Sequence, residues 1–233
     1  MTKLSSQLKK DRAVGASVAL TDRWIVADLG VEHQVLSWAI IGGGKQTTNK
    51  VVWLEVANKD LGVDVDPVAY LQQALNEHNH DDAVAMMTSC DITRYIDKTY
   101  HKGGLWARAI VTVGLSNALR VGDVAKYGAK VNTINIFCQV SEHLTEAGML
   151  EGMSIVTEAR TMACLESNVT SIVSNAPASG TGTDCITFVS PLDGTPLIGV
   201  GKHTVIGHLI GKAVYQAMKE GVLCWQRELQ KKS

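Results

Sequence analysis

The chain has 233 residues, with 22 Lys and Arg against 23 Asp and Glu and a formal charge of -1. Balanced, mixed charge argues against a nucleic-acid or anionic-membrane binder. No apolar run reaches the ~18 residues that a membrane-crossing helix needs, and the Lys-rich N-terminus has no signal-peptide core. The length suits one large domain or two small ones, and no linker or low-complexity run divides it, so one is expected. The five cysteines are odd in number, widely spaced and mostly set in apolar segments, which reads as reduced core thiols of a cytoplasmic protein.

In chain order, residues 1–12 are polar and read as a flexible arm, with a single domain over 13–233. Residues 14–20 and 24–29 flank Thr21-Asp22-Arg23 as a hairpin. A further strand over 35–41 runs into Gly42-Gly43-Gly44, where close backbone approach is allowed. Another strand covers 51–56. Trp38 and Trp53, near the glycine run, could stack on a planar ligand, although core packing is the simpler reading. Pro67 opens a helix through 77, followed by His78-Asn79-His80-Asp81-Asp82. That run is weighed as a metal site and read instead as a polar loop. Strands follow over 83–87, 106–113 and 132–140. Between the last two, 114–118 is small and polar, as at the ligand-binding strand ends of open sheets. Thr145 caps a helix to about 166, with Met149, Gly152, Met153, Val156, Ala159 and Ala163 on one face and Glu158 on the polar side.

The chemistry is concentrated from 179 onward. Gly180-Thr181-Gly182-Thr183-Asp184 precedes a strand over 185–189, a turn over 193–196 and a returning strand over 197–200. A helix then starts near Thr204, its N-cap, so that its free N–H groups lie beside Lys202 and His203. Such a hairpin would bring Asp184 near His203. The irregular alternation and the hairpins predict an α/β fold of the α+β type, with a mixed, largely antiparallel sheet covered by helices.

An ordered set of motifs carries a resemblance. They are Leu36-Ser37-Trp38-Ala39 with Gly42-Gly43-Gly44 and Asn49, then Met87-Thr88, Val111 to Ala118 (Val-Thr-Val-Gly-Leu-Ser-Asn-Ala) and Thr133-Ile134-Asn135-Ile136. Leu144-Thr145-Glu146-Ala147, Thr157-Glu158-Ala159-Arg160-Thr161, Gly180 to Asp184 and Gly201-Lys202-His203-Thr204 complete it. Over roughly 35–215 the chain resembles the adenosylcobinamide amidohydrolase (CbiZ) family. Trp38 stands where a small residue is expected, and Arg160 replaces a Lys.

The resemblance implies hydrolysis of the aminopropanol amide of adenosylcobinamide to adenosylcobyric acid and 1-aminopropan-2-ol, a step in corrinoid salvage. The corrinoid is the substrate rather than a cofactor, and no cofactor is expected; no metal is expected either, because the sequence holds no strong ligand spacing, and a homo-oligomer is possible. With no Gly-x-Ser-x-Gly elbow, an activated water is preferred to a covalent intermediate. Asp184 or Glu158 is then the base and His203 the acid, with Lys202 or the helix N-terminus on the oxyanion. Ser37, Gly42, Gly43, Asn49, Thr88, Asn117, Asn135, Thr181, Thr183, Lys202 and Thr204 are the expected substrate-binding residues. Two alternatives remain at this level: a non-catalytic corrinoid-binding protein, and a phosphate- or nucleotide-handling enzyme with 180–184 as its anion cradle.

Overall fold

A computed structural model describes residues 15–57, 59–62, 64–125 and 132–232. The arm expected over 1–12 lies outside them. Strands β1 (Ser17–Thr21) and β2 (Trp24–Ser37) form the first hairpin, with Asp22 in the left-handed region at φ 49°. The two strands expected over 24–29 and 35–41 are one 14-residue strand. Its register against β3 (Gly44–Glu55) shifts between Asp28 and His33. A bulge there breaks the apolar alternation without ending the strand.

Helix α1 (Pro67–Glu77) starts where Asp66 accepts from the Val68 N–H at 3.0 Å and proline takes the first turn, so its bounds follow from the sequence. Strand β4 (Val84–Thr88) then lies parallel to β3. A strand not foreseen, β5 (Ile96–Lys102), turns at Gly103 and Gly104 into β6 (Leu105–Val113). The short β7 (Ala118–Leu119) is followed by β8 (Ile134–Val140), every residue of which is buried. Helix α2 (Glu146–Glu166) is capped by Thr145, which accepts from Gly148 N–H at 3.2 Å. Strand β9 (Gly180–Thr181) pairs with β7; β10 (Cys185–Pro191) and α3 (Val205–Lys232) complete the chain.

The main sheet runs β4-β3-β2-β10-β8-β6-β5, with β1 on β2. Its parallel pairs are β3 with β4 and β8 with β10, joined by the crossovers through α1 and α2; the other pairings are antiparallel. The expected fold class is the observed one. The sheet curls without closing into a barrel. Trp53 of β3 and Phe137 of β8, three strand steps apart, bring their rings within 6.0 Å, and Asn135 donates to the Met87 carbonyl at 2.8 Å. Alternate residues such as Ile25, Val51, Met86 and Ile110 fill the concave face. On the convex side α2 and α3 cover β6, β8 and β10, while α1 covers the β2–β4 half. No helix among the described residues is long and apolar enough to cross a membrane.

The returning strand expected over 197–200 does not form. Both edges of β10 are already taken, by β2 and β8, so no third partner can pair with it. The chain passes instead to the start of α2, where Leu197 bridges Leu144 and accepts from the Thr145 N–H at 2.9 Å.

Candidate active site

One rim of the curled sheet gathers the N-terminal ends of β8 and β10 and the C-terminal ends of β2 and β4. A cavity of about 360 Å³ opens there. Its apolar wall includes Trp38, Ile40, Val65, Met86 and Met87, and its polar wall Thr88, Thr133, Asn135, Thr183 and Asp184. Trp38 and Ile40 are about half exposed, forming an apolar lip.

The loop from Gly180 to Asp184 is folded around its own carboxylate. Both Asp184 oxygens accept from the Thr181 N–H at 3.0 Å, and one also takes the Thr181 hydroxyl and the Ile134 N–H, the latter at 3.3 Å. Arg160, from α2, closes the shell with an ion pair to Asp184. A Cβ at Gly180 would collide with the Asp184 carboxylate and crowd the Arg160 guanidinium, which accounts for glycine there. Trp38 Nε1 donates to the Asp184 carbonyl at 2.6 Å, and the Thr133 hydroxyl to the Thr183 carbonyl at 2.8 Å. Asp184 is the one carboxylate lining the cavity among the described residues, and its side chain is 5% exposed. Burial pushes its carboxyl above the ordinary carboxylate value, against the opposing pull of Arg160 and the Thr181 donors. The Thr181 N–H is spent on Asp184 and the Thr183 N–H on the Thr181 hydroxyl, so two of the loop's amides already have internal partners and the loop's own carboxylate sits where an anion would be cradled.

Asn135 is fully buried. Its Nδ2 is anchored on Met87, while its Oδ1 has no hydrogen-bond partner among the described residues. Thr88 accepts from the Cys90 N–H at 3.1 Å. Ser37 lies behind the cavity, donating to the Ile186 carbonyl and accepting from Ala39 N–H at 3.0 Å, so it shapes the bend that presents Trp38. Gly42 and Gly43 are outside the cavity lining; a Cβ on them would press on Val84 and on the Ala39 carbonyl. Asn49 and Asn117 are also outside it, each with a buried Oδ1 that has no partner among the described residues. Cys185 lines the cavity, and burial pushes its thiol up to about 12, far from a thiolate nucleophile. All five cysteines are free. His78 and His80 pack on the Trp24 ring at 5.6 and 5.2 Å.

The remaining expected residues lie elsewhere. Lys202 pairs with Glu158 in an exposed groove between α2 and α3. Thr204 caps α3 by accepting from the Gly207 N–H at 3.0 Å. His203 is exposed beside it, and no hydrogen bond or ion pair joins it to Asp184 among the described residues. The expected proximity rested on the hairpin that the occupied edges of β10 exclude.

Arg160 and Thr133 were not among the residues expected to act, and Trp38, weighed as a stacking surface but read as core, stands instead half-exposed at the cavity lip. Arg160 carries a legible signal: it follows Met153 by seven positions and Val156 by four, so it lies on the buried face of α2. A guanidinium on that face requires a buried acid.

The sequence model of the CbiZ family, described as adenosylcobinamide amidohydrolase, matches residues 6–230. The chain belongs to the adenosylcobinamide amidohydrolase family. An uncharacterized protein of Methanocaldococcus jannaschii is 34% identical over 95 residues, covering 40% of this chain and 37% of that relative. This chain therefore matches little more than a third of that protein's length. A crystal structure of a Pyrococcus horikoshii OT3 protein aligns with a TM-score of 0.45 at 9% identity, over 90% of this chain and 83% of that one. The family blocks named above that reach the cavity come from four separated parts of the chain, at Trp38, Met87-Thr88, Thr133 with Asn135, and Thr183-Asp184.

Proposed function

We propose that this protein hydrolyses the aminopropanol amide of adenosylcobinamide, releasing adenosylcobyric acid and 1-aminopropan-2-ol for corrinoid salvage, and that the rim cavity is where the bond is cut. One observation carries the reading: family blocks distant in sequence converge on a single cavity holding one carboxylate. At about 360 Å³ the cavity is at the small end of ligand pockets, enough for the aminopropanol arm and its amide. The macrocycle lies across the apolar lip of Trp38 and Ile40.

Asp184 serves as the base. Its burial favours the protonated form, so it takes a proton from water as the water oxygen attacks the amide carbon. The tetrahedral intermediate then collapses, the C–N bond breaks, and the proton held by Asp184 goes to the departing nitrogen. The unpartnered Asn135 Oδ1 accepts from the amide N–H and so fixes its orientation. Glu158, in the helix groove, and His203, exposed at the start of α3, take no part in these steps.

Incubation of the purified protein with adenosylcobinamide, followed by mass spectrometry, should show both products without ATP. Asp184→Asn should lower turnover at least about 10²-fold while corrinoid affinity changes little. Corrinoid binding with no product over long incubation would favour the binding-protein reading. Turnover of the variant within a few-fold of wild type would remove Asp184 from the base role.

A further inference from the structure

A second cavity, of about 270 Å³, opens on the same rim. The wall between the two is thin in sequence terms: Ser89 lines both, and Asn132 of the second adjoins Thr133 of the first. Cys90 donates from sulfur to Asn132 Oδ1 at 3.4 Å, and Asn132 Nδ2 donates to Ser116 at 2.7 Å, which fixes that wall. Gly114 makes room for it, since a Cβ there would overlap both the Asn132 amide and the Cys90 sulfur. Gly221 likewise lets α3 approach Val113, bringing Trp225 to the far side.

Thr112 is the telling residue. It is 2% exposed, lines the second cavity, and its hydroxyl has no partner among the described residues. Across the β6–β8 ladder it stands opposite Asn135, the residue with the orphan oxygen in the first cavity. An unpaired buried hydroxyl is unfavourable unless something binds to it. The charged side chains lining it are paired among themselves and with a neighbour: Arg94 with Asp91 and with Glu228, each at 3.0 Å, and Glu228 also with Lys231 at 2.9 Å, so the two carboxylates are balanced by two cations. What is left is a cavity of balanced charge bordered by a threonine whose buried hydroxyl can both donate and accept once a ligand seats against it. The matching ligand is a neutral group with a donor and an acceptor, such as a primary carboxamide.

We infer that the second cavity is a subsite for a peripheral carboxamide of the corrinoid, held by the Thr112 hydroxyl while the scissile arm occupies the first cavity. The inference rests on the corrinoid reading above. It follows from size as well: the corrinoid exceeds the first cavity and must lie along the rim, and the corrin periphery carries amide side chains that can project into a neighbouring opening.

Thr112→Val keeps the shape and the β-branch and removes only the hydroxyl; Thr112→Ser restores it. The readouts are the Kd for adenosylcobyric acid, which keeps the peripheral amides, and KM and kcat for adenosylcobinamide. The valine variant should weaken Kd and raise KM about 10-fold, as for one lost buried hydrogen bond, with kcat unchanged. The serine variant should stay near wild type in both. Thermal unfolding of the valine variant at or above the wild-type Tm would show that the fold tolerates the change. Unchanged Kd and KM in the valine variant would overturn the subsite while leaving the proposed reaction standing. So would equal losses in the valine and serine variants. A wild-type protein that neither binds nor cleaves the corrinoid would overturn both.

Discussion

At the scale of single residues, the site is organised by one buried ion pair. Asp184 spends its oxygens on Thr181, Ile134 and Arg160, so it anchors the Gly-Thr-Gly-Thr loop as well as facing the cavity. Two opposing effects set its charge. Burial favours the neutral acid and Arg160 favours the carboxylate, and burial is the larger. If Asp184 is the base it must be ionised to act, so the acid limb of kcat/KM should then lie above the ordinary carboxylate value of about 3.9. Arg160→Met removes the opposing cation, which should move that limb to still higher pH, whereas Arg160→Lys, keeping the charge, should move it less. A methionine variant with a slower rate but an unmoved limb would assign Arg160 a purely structural role. The sequence made Asp184 stand out, as an acid directly before a buried strand. It also held the partner, as a cation on the apolar face of α2, but the nearer histidine in the chain drew the pairing instead. Proximity in sequence is a weak guide where the contact is set by a helix crossing a sheet.

Among the elements, those with local signals were legible and those defined by tertiary pairing were not. Asp66 with Pro67, and Thr145 with a long apolar stripe, place the starts of α1 and α2 by hydrogen-bonding rules that act within four residues. Strand β5 reads Ile-Asp-Lys-Thr-Tyr-His-Lys, with no clean alternation, because it is an edge strand paired only to β6. The missing strand over 197–200 fails for the opposite reason: its sequence suits a strand, but no edge is free. The α2–β10 contact that holds Arg160 over Asp184 depends on Gly152, where a Cβ would lie 2.5 Å from the Phe188 ring. Gly152→Ala gains helix propensity in α2 yet must displace a buried aromatic. Overpacking outweighs propensity, so the variant should lose about 1–3 kcal/mol in urea denaturation. Equal or greater stability would mean that α2 can shift on the sheet at little cost.

Over the whole molecule, the residues expected to act together are divided between two surfaces. The rim holds Thr88, Asn135, Thr183 and Asp184, while the groove between α2 and α3 holds Glu158 and Lys202, with His203 exposed at the start of α3. The Gly201-Lys202-His203-Thr204 block has a structural account of its own. Thr204 caps a 28-residue helix, Lys202 ties its start to Glu158, and Val200 N–H donates to Glu151 of α2 at 2.6 Å. These contacts latch α3 onto α2, and together the two helices cover the convex face of β6, β8 and β10. His203 makes no hydrogen bond within that latch, so its removal should leave the fold intact. If the cavity alone performs the chemistry, His203→Ala should retain turnover within about threefold, the small change expected of an exposed side chain away from the reacting atoms. Asp184→Asn, in the same assay, should fall by the larger factor given above. A loss at His203 as large as at Asp184, with unaltered Tm, would require the substrate to reach the start of α3, and proton delivery to the amine would then pass to the imidazole. A non-additive double variant would make the same point, since groups acting in one step do not lose rate independently.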